Sequence, residues 1–183
     1  PSRIDQRHSR EDQQNPRRND RTKNRTEAQA RNQVITAMDI LTTHGKHPSH
    51  AVDVPADVMK NASDLAHRVS LMSGSFGDER RITSGYRPRA YNEALIKAGK
   101  KAAKHSLHIW GAAVDLEDDD RALATWVMAN LDLFGHFGMW IEDTNYTREK
   151  QKDGSWKSWV HLQLIPPPSG RRVFKPYKGP PPR

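Results

Sequence analysis

Apolar residues return along this chain with two different periods, and the change from one to the other predicts its elements. Val34, Ile35, Met38 and Leu41 recur at helical spacing, with Gly45 placed to stop the helix. Asp53 and Pro55 mark a second start, and Val58, Ala62, Leu65, Ala66, Val69 and Met72 form one stripe of a long helix ending at Ser73-Gly74. A third helix opens at Pro88, runs through Tyr91, Ala94, Leu95 and Ala98, and stops at Gly99. A fourth follows Asp118-Asp119-Asp120 through Ala122, Leu123, Trp126, Val127 and Leu131; the three acids suit a helix N-terminus. Elsewhere the pattern is short and extended, at residues 80–84, 112–116, 139–141 and 159–164. Phe134-Gly135-His136-Phe137-Gly138 reads as a turn, residues 143–158 as a polar rim loop, and residues 171–176 as a returning edge strand. This succession predicts an α+β fold, a small antiparallel sheet with helices packed on it.

The two ends fall outside that pattern. Residues 1–33 hold one large aliphatic residue, Ile4, and no aromatic, while nine Lys or Arg against five Asp or Glu leave +4. Such a segment buries too little apolar area to offset its ordering entropy, which predicts a basic arm that is disordered and solvated or, on the sharper reading, ordered by a partner. Nucleic acid is one such partner, although base stacking has no aromatic residues to use. Residues 34–177 then form a single domain, and Lys178-Gly179-Pro180-Pro181-Pro182-Arg183 an extended proline-rich tail.

Composition adds few constraints. A net charge of +8 over 183 residues favours polyanionic partners, nucleic acid or a carboxylate-rich cell wall among them. Without cysteine there are no disulfides and no thiolate metal sites. No apolar run reaches the length of a membrane span, and none follows the N-terminal charges as a secretory signal would.

Chemistry concentrates in His105-Ser106-Leu107-His108-Ile109-Trp110-Gly111-Ala112-Ala113-Val114-Asp115. Imidazole and carboxylate are zinc ligands. On one continuous helix His108 and Asp115 would stand roughly 10 Å apart along the axis, too far for two ligands each about 2 Å from one metal. The chain between them therefore bends, and Gly111 is the residue that allows it. The extended segment Trp159-Val160-His161-Leu162-Gln163-Leu164 offers a third ligand, His161, with Gln163 on the same strand face, placed to bond a ligand or the substrate. Three protein ligands with a fourth position left to water describe a catalytic zinc site. A rival cluster, His44, His47 and His50, is interrupted by Gly45 and Pro48 and reads as a polar loop. Trp110, Trp140 and Trp159 read as core residues.

The pattern Ser106-x-His108-x2-Gly111-x-Ala113-x-Asp115, followed by Trp159-Val160-His161, resembles the zinc D-alanyl-D-alanine carboxypeptidase family and its L-alanyl-D-glutamate endopeptidases. Ile82-Thr83-Ser84-Gly85-Tyr86-Arg87-Pro88 is similar to the family's S-G-Y-R segment, and residues 167–176 resemble the tail of its phage-borne branch. The resemblance covers roughly residues 55 to 177 and implies the fold shared with the hedgehog signalling domain. It implies Zn2+ on His108, Asp115 and His161, with the peptide stems of peptidoglycan as substrate. It also implies Arg87 as the group that steadies the negative oxygen formed during attack, and Ser84 and Ser106 as substrate-side positions. A phage origin would place the protein in a virion or the host cytoplasm, acting at the cell wall, with the basic arm a contact for other virion proteins.

One position departs from the family. Many members carry an acid three residues before the last histidine, where this chain has Ser158. The proton shuttle must then come from elsewhere; Glu142 is the preferred candidate and Asp143 the alternative. The same departure suits a second reading, a structural or binding virion protein that keeps the fold and the metal without turnover.

Overall fold

A computed structural model describes residues 34–44, 54–100 and 102–176. The basic arm, the proline-rich tail, and Gly45, His47, His50 and Asp53 lie outside the described residues.

Five α-helices and six strands make up the described chain: α1 (Ala37–Thr42), α2 (Ala56–Phe76), β1 (Ile82–Ser84), α3 (Arg89–Lys97), β2 (Ala113–Glu117), α4 (Ala122–Ala129), α5 (Leu131–Phe137), β3 (Trp140–Glu142), β4 (Arg148–Lys150), β5 (Trp156–Gln163) and β6 (Val173–Phe174). A 3-10 turn, Leu107–Trp110, precedes β2. The fold is α+β, as the pattern predicts. The sheet runs in the order β1-β2-β5-β3-β6, with β4 also paired to β5. Every pairing is antiparallel except β3 with β6.

α2 is the main support of the sheet. Its predicted stripe, Val58, Ala62, Leu65, Ala66, Val69 and Met72, is buried throughout. The stripe packs in one cluster with Val114 and Leu116 of β2, Ile141 of β3, and Val160 and Leu162 of β5. The helix does not stop at Gly74 but continues to Phe76. A helical glycine costs only about 1 kcal/mol, and the two added residues set Phe76 against Trp126, ring centroids 5.4 Å apart. Thr36 and Asp39 cap α1 reciprocally, Thr36 Oγ1 accepting from the Asp39 amide and Asp39 accepting from the Thr36 amide.

Three expectations from the pattern are corrected. The helix through Leu131 is two helices broken at Asn130, whose side chain donates to the Trp126 carbonyl. The supposed turn at Phe134–Phe137 is helical instead, because it drives Phe134 fully into the core, edge-on to Trp126 at 6.0 Å and to Phe137 at 5.9 Å. Residues 143–158, read as a loop, contain β4 and the start of β5 in a hairpin. β4 is exposed throughout and β5 is exposed at Trp156 and Lys157, so no burial alternation marks them; Arg148 lies over the Trp156 ring, 4.6 Å away, across the pair.

Trp110 is also corrected: it is 40% exposed, carried outward at the end of the 3-10 turn. Among the described residues no helix is long and apolar enough to cross a membrane.

Candidate metal centre

Strand register brings the candidate ligands together. In β2 and β5, Asp115 lies directly opposite His161, while Val114 and Leu116 face Leu162 and Val160. Strand alternation therefore puts the apolar pairs on the face toward α2 and the polar pair on the other. On the far side of Asp115 stands Ser84 of β1. On the far side of β5, Trp140 pairs with Gln163 and Ile141 with Leu162. One further step in that register sets Glu142 opposite His161, and the Glu142 charge does act on His161. A polar row, Ser84, Asp115, His161 and Glu142, thus crosses four strands.

His108 reaches the row from outside the sheet, on the 3-10 turn that Ser106 caps and Gly111 ends in the left-handed conformation, φ 64°. This is the bend that the spacing of His108 and Asp115 demands. A β-carbon at Gly111 would stand 2.8 Å from the Val58 carbonyl oxygen, so the turn also needs glycine for its approach to α2. Gly85 serves the other side of the ring. A β-carbon there would overlap the Ile40 carbonyl oxygen, and the close approach lets the Gly85 carbonyl accept from His108 Nδ1 at 2.8 Å.

His108, Asp115 and His161 each offer a ligand atom, and these atoms lie within 4.8 Å of one another, a group that can hold a metal ion. Their orientation fits such an ion. With Nδ1–H of His108 spent on Gly85, its Nε2 lone pair faces Asp115 Oδ2 at 3.5 Å. Two ligands of one tetrahedral ion, each about 2 Å from it, stand about 3.3 Å apart, close to that separation. His161 is the mirror case. Gln163 donates its amide to the Ile165 carbonyl at 2.6 Å, which turns Gln163 Oε1 toward His161 Nε2, 3.4 Å away. His161 Nδ1 then points at Asp115 Oδ1, 2.7 Å distant, where a proton and a metal would compete for one lone pair.

The side chains are 3%, 11% and 12% exposed for His108, Asp115 and His161. Burial, reinforced by the Arg87 charge, lowers the His108 imidazole to about 4 and keeps it neutral. Burial alone would raise the Asp115 carboxyl, but its contacts with His108 and His161 outweigh that and hold it well below the usual carboxylate range. Burial likewise opposes a charge on His161, yet the Asp115 contact raises its pKa above 6.5, with Glu142 adding to the effect.

Arg87 sits over the same carboxylate, Nη2 donating to Asp115 Oδ2 at 3.2 Å and Nε to Ser84 Oγ at 2.8 Å. Its backbone amide donates to the His108 carbonyl, 3.0 Å away. Ser106 Oγ faces the His108 amide at 3.4 Å and acts as a turn cap. Ser158 is buried on the face it shares with Val160 and Leu162, away from His161. A carboxylate there would enter the core, whereas Glu142 stands on the face with the imidazoles. The one contact that sequence reasoning missed is His44: its Nε2 meets Ser84 Oγ at 3.0 Å, behind Arg87. Only its place in a histidine-rich segment marked it.

No family model, no curated protein and no solved structure matches the chain. The class that fold and site define is an α+β protein carrying a buried His-Asp-His group able to hold a metal.

Proposed function

We propose that this chain is a zinc-dependent peptidase acting on the peptide stems of peptidoglycan, a phage lytic or virion-associated cell-wall hydrolase. The observation that carries this reading is the convergence of His108, Asp115 and His161, from a 3-10 turn and two strands, on one point with their lone pairs aimed inward. Three ligands of this kind are the donor set of catalytic zinc. Zinc bound there would polarise the scissile carbonyl and make water acidic enough to attack at neutral pH.

The chain supplies the rest. Glu142, beside His161, takes the proton of the attacking water and delivers it to the departing amine. Arg87, fixed through Nε and Nη2, presents positive charge where the carbonyl oxygen becomes negative, an interaction stronger in the transition state than in the ground state. Gln163 holds the His161 tautomer, and Ser106 holds the turn that carries His108.

The test is digestion of purified peptidoglycan with zinc and with a chelator, reading the released fragments by mass. Zinc-dependent release of stem fragments is expected, and the masses name the bond cut. Zinc binding without any fragment would sink the peptidase and favour the second reading, a binding or structural protein, which Ser158 in the usual acid position supports. The basic arm is proposed as a contact for other virion proteins. DNA binding that is steeply salt-dependent and lost on removing residues 1–33 would assign it to nucleic acid instead.

A further inference from the structure

Behind the metal group lies a chain of contacts that the proposed chemistry does not use directly. Arg87 Nε can only donate, so Ser84 Oγ accepts there at 2.8 Å and keeps its own O–H for His44 Nε2, 3.0 Å away. Ser84 is buried and carries both contacts at once. The His44 ring is itself braced by Tyr91 of α3, ring centroids 5.0 Å apart. At the far end Arg87 Nη2 reaches Asp115 Oδ2. The order is His44, Ser84, Arg87, Asp115, from the turn after α1 to the metal group.

We propose that His44 and Ser84 are positioning residues that fix the Arg87 guanidinium against Asp115, and through it set the charge felt by a cation bound at His108, Asp115 and His161. The inference rests on the metal reading above for one readout and is independent of it for the other. Three reasons support it. An arginine anchored at one nitrogen alone can swing about its long side chain, whereas anchoring Nε as well fixes the plane of the guanidinium. The anchor, Ser84, sits directly across from Asp115 in the β1–β2 register, so the sheet carries both ends of the Arg87 contact. A positive charge this close to a ligand oxygen opposes a second cation, so its placement tunes affinity as well as transition-state charge.

The metal-independent readout is hydrogen exchange of the Arg87 Nε–H, followed by NMR with a chelator present. His44→Phe keeps a ring against Tyr91 but removes the nitrogen, and exchange should quicken by at least about tenfold. His44→Gln, which restores a polar atom near Nε2, should recover most of the protection. The second readout is the zinc Kd in a double-mutant cycle with Arg87→Ala. His44→Phe should tighten zinc about threefold by letting the guanidinium drift from Asp115, and should change nothing once Arg87 is alanine. His67→Ala, on the exposed side of α2, gives the baseline.

Unchanged exchange in His44→Phe, no rescue by His44→Gln, weaker zinc binding, or an equal effect on Kd in both backgrounds would each overturn the proposal. Wild-type protein that binds no zinc, yet shows the exchange effect, would overturn the metal reading and the tuning of affinity while keeping the relay to Arg87. Should His44→Phe not fold, Ser84→Ala removes the hydroxyl between His44 and Arg87 and is read in the same two ways.

Discussion

The two faces of β2 and β5 are made by alternate residues of the same strands, yet they do opposite things. Val114, Leu116, Val160 and Leu162 point toward α2 and are fully buried, contributing area and shape. Asp115 and His161, one residue away in each strand, point to the other side and carry charge that burial makes expensive. The first face is apolar apart from the small Ser158 near its end; the second survives because each polar atom has a partner, Arg87, His108 or Gln163. The apolar face is what holds the polar one still. A side chain in a close-packed strand cannot retreat from a costly neighbour, so the neighbours shift one another's protonation instead.

The sharpest way to break this division is Asp115→Ala. It leaves Arg87 and His161 without their shared carboxylate, and zinc affinity should fall by at least about a thousandfold, read by competition with a chelating dye. In chelator at pH 7 the same variant should lose about 3–5 kcal/mol in urea unfolding, because breaking a buried pair strands its partners. If stability is unchanged, Asp115 does not hold the polar row together.

Glu142→Gln probes the same face without touching a ligand. Stem-peptide cleavage should drop by about two to four orders of magnitude while the zinc Kd stays within about twofold. Equal loss of zinc would move Glu142 from proton shuttle to ligand support.

On the opposite face, Leu162→Ala should cost about 2–5 kcal/mol by opening a cavity against α2. Zinc affinity of the folded fraction should change little, measured well below the new Tm. A large fall in affinity would mean that the two faces cannot be separated.

The smallest effect is on pH. An imidazole must be neutral to bind a metal, and His161 holds its proton more tightly than a free histidine, above 6.5. Affinity should therefore fall as pH falls, by about tenfold per unit below that pKa. His108, lowered to about 4, adds a second proton only in strong acid. Calorimetry at pH 6 in buffers of different ionisation enthalpy should find close to one proton released per zinc bound; two would contradict the neutral His108.

The sequence by itself determined the stripe of α2, the bend at Gly111, the strands carrying Asp115 and His161, and the three residues of the buried His-Asp-His group. These are local matters, since periodicity, a glycine and residue type are written in consecutive positions. Helix breaks and pairing partners were less legible. Asn130 divides a continuous apolar pattern where Phe134 turns in to Trp126, and β4 pairs with β5 in a hairpin whose exposed side chains leave no apolar alternation to read. Only the tertiary structure decided that Ser158 faces the core and Glu142 the site, since the side of a strand that counts as inside depends on what packs there. It alone brought His44 to Ser84, forty positions away along the chain, because a hydrogen bond between distant residues leaves no period for a sequence to display.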